Sequence, residues 1–226
     1  MWLHLLCRRA LGRFRIDVRV SGRFPERGIL ISNHLSYLDI LVFASLSPCV
    51  FVSKAEIESW PVLGWMTTMS GTVYVRRGRG GSAKEAGGEM RAAADAGLPV
   101  VVFPEGTTSN GETILKFHSG LLAEAVCAEE PVTAAYLRYW LAPGNGGATA
   151  RDDVAWWGER GLVAHAWRFV SLRGVRAEVT FADGPIGFGA EAGKRKLLAI
   201  EARRAVCGLR DGCGAVEGSM ETAVSQ

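Results

Sequence analysis

Long apolar runs are what this sequence most conspicuously lacks. The opening stretch, MWLHLLC, is apolar for only seven residues, against about 18 for a segment that spans a bilayer, so no transmembrane helix is indicated. Its arginines follow the apolar stretch, whereas a signal peptide places positive charge before it, and export is not expected. Paired cysteines are lacking too: the five are scattered, odd in number and include no C-x-x-C pair. Neither a disulfide framework nor a zinc site is signalled, and the redox setting reads as cytosolic. No G-x-S-x-G elbow is present, so a hydrolase serine is not signalled. GAEAGKR (189–195) lacks the P-loop spacing, and GRGG (78–81) lacks the third glycine of a dinucleotide loop. Internal repeats are absent, no metal or cofactor is called for, and no nucleic-acid partner is expected.

What is present suits one domain. The 226 residues, 48% apolar and 22% charged, can bury a single substantial core and are short for two. Short β-branched runs recur at 28–32, 49–53, 71–75, 99–103, 132–137 and 175–181, each bounded by turn residues, and read as strands. Helix-length segments at 37–46, 82–97, 113–128, 152–171 and 190–209 alternate with them. The pattern predicts an α/β fold, a mostly parallel mixed sheet flanked by helices. The net charge is +3, yet residues 1–27 alone carry +5, from seven arginines against Asp17 and Glu26. With Trp2 and its leucines, this stretch suits a basic segment in a lipid headgroup region, or a basic helix packed on the domain. The chain thus divides into a basic interfacial segment (1–27), the domain (28–209) and, from 210 to 226, a small, polar, flexible tail.

The stretch NHLSYLDI (33–40) follows the first predicted strand. Ser36 makes a helix N-cap with Asp39 reaching back to its amide, and that alone accounts for the helix start. His34 is left over. Within one continuous helix, residues five apart point to different faces. If the helix starts at Ser36, His34 lies outside it, and its ring can fold back so that Asp39 takes the Nδ1 proton and leaves Nε2 bare. A histidine so held is a general base, at the strand end where α/β sheets bind ligands. The alternative is a loop histidine that is merely hydrogen-bonded. A base with no protein nucleophile suggests that the nucleophile arrives on the substrate, as a hydroxyl.

VVVFPEGTTSNG (100–111) runs from a buried strand through Pro104, Glu105 and Gly106 into Thr107, Thr108 and Ser109. It reads as a ligand-facing loop or as a polar turn with a helix cap. VYVRR (73–77) ends in two arginines that either clamp an anion or are solvated. WWGERGLVAHAW (156–167) reads as an aromatic amphipathic helix near lipid or as core packing.

Taken together, these residues resemble the phospholipid and glycerol acyltransferases related to bacterial lysophosphatidic acid acyltransferase. The N-H-x-x-x-x-D block is present as Asn33, His34 and Asp39, and the glycine–aromatic–arginine block as Gly71, Tyr74 and Arg77. The F-P-E-G-T block is Phe103 to Thr107, and EPVTAAY (130–136) is a looser fourth. The resemblance implies the family's α/β fold, and a peripheral enzyme on the cytoplasmic face of the cell membrane. It implies that His34 deprotonates the hydroxyl of a lysolipid, which attacks an acyl-CoA or acyl carrier protein thioester, with Asp39 orienting the base. Asn33, Arg77, Glu105, Gly106 and Thr107 would then serve substrate binding, with no metal or cofactor. The acceptor expected is 1-acyl-sn-glycerol-3-phosphate. Two departures point to lyso-ornithine lipid or another lysolipid as the alternative: Thr108 stands where an arginine is usual, and His118 where a lysine is frequent. A thioester hydrolase and a non-catalytic lipid-binding module are the readings from other classes.

Overall fold

The computed structural model describes residues 2–59, 64, 67, 72–75, 82–127, 129–189 and 194–224. Among these residues, seven strands form one sheet: β1 (Ile16–Ser21), β2 (Ile29–Ser32), β3 (Val50–Lys54), β4 (Val73–Val75), β5 (Val100–Val102), β6 (Val132–Leu141) and β7 (Val175–Pro185). Their order is β1-β7-β6-β2-β5-β3-β4. β6, β2, β5, β3 and β4 run parallel; β7 is antiparallel to β6 and parallel to β1. The helices are α1 (Trp2–Arg13), α2 (Leu38–Leu46), α3 (Ser82–Asp95), α4 (Ser119–Cys127), α5 (Leu162–Val170) and α6 (Arg195–Val224). The expected α/β fold, with a mostly parallel mixed sheet, is what forms.

The central strands are apolar on both sides, as strands covered by helices on both faces must be. Alternation divides their side chains. Leu30, Val101, Leu137 and Tyr139 pack with Cys7, Leu11, Leu41, Val42 and Phe169 from α1, α2 and α5. On the other face, Ile29, Ile31, Val100, Val102 and Ala134 pack with Met90, Leu122, Ala202 and Val206 from α3, α4 and α6. The turn into β2 requires glycine. Gly28 has φ +82°, and a Cβ there would lie 2.4 Å from the Pro131 carbonyl oxygen.

Four expectations are corrected. Residues 1–27 are not set apart from the domain: α1 buries Cys7 and Leu11 against it, and β1 pairs with β7 from Ile16↔Val175 to Ser21↔Thr180. The helix expected over 152–171 is instead a wide π-type turn, Ala150–Val154, followed by α5; between them Gly158 sits at φ +70°, which a helix cannot accommodate. The segment 113–128 is helical only from Ser119, because the amides of Leu115 and His118 are drawn off to Glu105 and to the Pro104 carbonyl. Residues from 210 on, expected as a loose tail, continue α6 to Val224. Once a helix is nucleated on packed turns such as Leu198–Val206, each added residue gains a bond at little cost.

Candidate active site

His34 sits in the turn between β2 and α2, at the C-terminal end of a central parallel strand. Its Nδ1 lies 2.7 Å from Asp39 Oδ2. The expected folding-back of the ring over the helix start is therefore observed, although Ser36 does not cap the helix: Tyr37 occupies the cap position without a side-chain bond to the helix amides, and Ser36 Oγ is buried with no partner. The aspartate organises this helix start instead. Its Oδ2 also accepts the amides of Leu35 (2.7 Å) and Ser36 (3.1 Å), and its Oδ1 accepts the Tyr139 hydroxyl (2.8 Å). Asp39 is fully buried. With three other donors converging on it, the carboxylate acts as acceptor toward the ring, so Nδ1 carries the proton and Nε2 is the basic nitrogen. The His34 side chain is 18% exposed, the Asp39 side chain 0%. Only the ring is open to a substrate.

Phe103, at the end of β5, stacks on the imidazole with centroids 4.1 Å apart and planes 12° from parallel. The loop after Phe103 encloses the base from below. Glu105 Oε1 accepts the His34 amide and Oε2 the Leu115 amide, each at 2.8 Å, and the Ser109 amide donates to the His34 carbonyl at 2.9 Å. Glu105 is thus a clamp between two loops, 2% exposed, with both oxygens spent on backbone. Burial pushes its carboxyl above the usual range, and the Leu115 and His34 amides pull it back. Gly106 takes φ +63° in this turn. Thr107 is exposed and Thr108 half-buried.

Asn33 likewise faces the protein. Its Nδ2 donates to the Leu137 carbonyl (2.9 Å) and its Oδ1 accepts the Leu137 amide (2.8 Å). A side-chain amide here takes the place of a peptide group and prolongs the β2–β6 ladder by one rung. The structure thus brings Asn33, His34, Asp39, Glu105, Gly106 and Thr107 together around one turn, with Asn33 and Glu105 as supports. Gly71, Arg76 and Arg77 lie outside the described residues. Tyr139 and the stacking role of Phe103 were not anticipated. The predicted strand stopped at residue 137, whereas Ala135, Leu137 and Tyr139 continue one alternating face. Among the described residues, no cluster of three or more His, Cys, Asp or Glu is placed to hold a metal ion.

Replacing Glu105 by glutamine tests the clamp. A glutamine offers one acceptor oxygen and sets an amide NH₂ against a backbone N–H, so unfolding in urea should show a loss of about 2 kcal/mol. An unchanged midpoint would mean the loop is held by other contacts.

A histidine held by a buried aspartate at a strand end is an arrangement suited to general-base chemistry on a substrate hydroxyl. Comparison with known proteins gives the family. The family model described as Acyltransferase matches residues 15–138, and the chain belongs to that family. It is 36% identical over 182 residues to a lyso-ornithine lipid O-acyltransferase of Pseudomonas aeruginosa, covering 79% of this chain and 65% of that protein. It is 35% identical over 175 residues to a 1-acyl-sn-glycerol-3-phosphate acyltransferase of Neisseria gonorrhoeae, covering 76% and 67%. The chain thus spans about two thirds of the length of these curated relatives, and just under that for the first. The crystal structure of a 1-acyl-sn-glycerophosphate acyltransferase from Thermotoga maritima aligns with a TM-score of 0.62 at 22% identity, over 92% of this chain and 78% of that one. At that identity the likeness is one of fold.

Proposed function

We propose that the protein transfers a fatty acyl group from acyl-CoA or acyl carrier protein to the hydroxyl of a lysolipid, with 1-acyl-sn-glycerol-3-phosphate as the acceptor. The observation that carries this reading is the His34–Asp39 pair, 2.7 Å apart, with the imidazole partly open and the carboxylate sealed. Nε2 takes the hydroxyl proton as the oxygen attacks the thioester carbonyl. Asp39 stabilises the imidazolium that forms, and the imidazolium returns the proton to the departing thiolate. A thioester is already activated, so position and a matched base suffice, and no metal, cofactor or covalent intermediate is required.

The same reading puts the protein on the cytoplasmic face of the membrane, as a peripheral enzyme. No helix among the described residues is long and apolar enough to cross a bilayer. An apolar groove of about 680 Å³ lies between α1, α2 and α5, lined by residues including Leu6, Phe14, Leu41, Leu162, Trp167 and Val170. Its rim is strongly apolar for a water-exposed surface: Trp167 is 81% exposed and Val163 82%. Exposed Arg8, Arg9 and Arg13 lie along α1. Such a surface suits the boundary between acyl chains and anionic headgroups.

A second acceptor, lyso-ornithine lipid, is favoured by Thr108. A phosphate monoester is best held by several fixed cations, and threonine can supply only one neutral hydrogen bond where an arginine would supply a charged fork. The test is kcat/KM for both acceptors, with labelled acyl-CoA and labelled acyl carrier protein, in wild type and Thr108→Arg. Acylated lipid should form only when an acceptor is present, and the substitution should shift preference toward the phosphate acceptor about tenfold. Free fatty acid released without acceptor would identify a hydrolase, and no turnover of any thioester a binding module. A wild-type preference for the phosphate acceptor of a hundredfold or more, about 2.7 kcal/mol, would overturn the role given to Thr108.

A further inference from the structure

We infer that Tyr139 is a positioning residue that sets the proton affinity of His34 through Asp39. The inference rests on the base chemistry proposed above and adds a residue outside the family's sequence blocks as they appear in this chain. The two carboxylate oxygens of Asp39 have different surroundings. Oδ2 faces His34 Nδ1 and the amides of Leu35 and Ser36, all within one short turn of chain. Oδ1 accepts the Tyr139 hydroxyl, from a strand 100 residues away, at 2.8 Å. The turn alone therefore holds one oxygen and leaves the carboxylate plane free to pivot about it; the bond from β6 fixes the second point.

The hydroxyl also has an electrostatic effect. A donor on Oδ1 draws negative charge away from the carboxylate and so moderates how strongly Asp39 favours the imidazolium form of His34. Both groups are buried, Asp39 at 0% and Tyr139 at 6% exposure, where such a bond is little screened by water. Tyr139 remains a donor throughout the working range, because burial and then the charge of Asp39 hold its hydroxyl well above the ordinary tyrosine value. Its strand braces both sides of the base: Leu137 holds Asn33, the residue before His34, and Tyr139 holds Asp39.

The experiment is a titration of His34 by NMR in the full chain labelled at histidine. The chain has four histidines, and the His34 signal is identified by its loss in His34→Ala. In Tyr139→Phe the titration should move upward by about half a pH unit or more, since the aspartate has lost its moderating donor. The acid limb of kcat/KM should move up with it. Because loss of the hydroxyl could disturb the core, a second variant carries 3-fluorotyrosine at position 139, which keeps the ring and donates more strongly; its shift should be downward. Shifts of opposite sign in the two variants support the inference. An unmoved titration in both, or shifts of the same sign, overturns it. The NMR readout does not depend on turnover, so a wild type inactive with every thioester would defeat the proposed function without deciding the role of Tyr139.

Discussion

His34→Ala loses acyl transfer while keeping the fold, with kcat/KM expected to fall by about 10³-fold or more. The expectation comes from what surrounds the ring. Asp39 keeps the amides of Leu35 and Ser36 and the Tyr139 hydroxyl when the imidazole is removed, so no buried charge is left without donors. The structural losses are the bond to Asp39 and the stacking on Phe103, together about 2 kcal/mol. Thermal unfolding should shift by a few degrees at most, against a rate effect of several kcal/mol. If the purified variant retained more than about a tenth of the wild-type rate, a barrier change of only ~1.4 kcal/mol, the base would have to be sought elsewhere.

Asp39→Asn should be nearly as damaging, by a different route. The new side-chain amide could turn its oxygen toward the three N–H donors on the Oδ2 side and its NH₂ toward Tyr139, whose hydroxyl can rotate to accept. The fold then survives at a cost of about 1–3 kcal/mol. The imidazolium, however, loses its counter-charge at the moment it forms, and in the opposite amide orientation the NH₂ would donate to Nδ1 and fix the wrong tautomer. A drop in kcat of about 10²- to 10⁴-fold is expected. KM for the lysolipid should stay close to wild type, because the sealed carboxylate touches no substrate. A kcat within about threefold of wild type, with the same pH profile, would refute the pairing.

Both outcomes could be anticipated from the sequence because the base and its partner lie five residues apart, and local geometry decides whether they can meet. The strands of the parallel half were legible for a similar reason: Ile29–Ser32 and Val100–Val102 are runs rich in β-branched residues, opened by Gly28 and Pro99. β1 was harder to see. Ile16, Val18 and Val20 alternate as a strand requires, but Asp17, Arg19 and the neighbouring arginines made the segment read as a charged surface. The supports of the site could not be read at all. Asn33 and Glu105 look like polar residues available to a substrate until their partners, Leu137 and Leu115, are placed beside them. Tyr139 is an ordinary strand aromatic until the sheet lays β6 against the turn. Residue type reveals a capacity to hydrogen-bond; which group satisfies it depends on strand order, and strand order depends on how the whole core closes.

The place of β1 in that order governs how the chain can assemble. As an edge strand its sheet neighbour is β7, with Ile16 opposite Val175 and Ser21 opposite Thr180. During synthesis β1 therefore has to wait for more than 150 further residues before its β7 partner exists. Loop closure of that length is slow compared with the local pairing of strands and helices. The sheet from β2 to β6 can form while β1 waits, and the arginine-rich, proline-interrupted composition around it makes the unpaired strand a poor template for other chains.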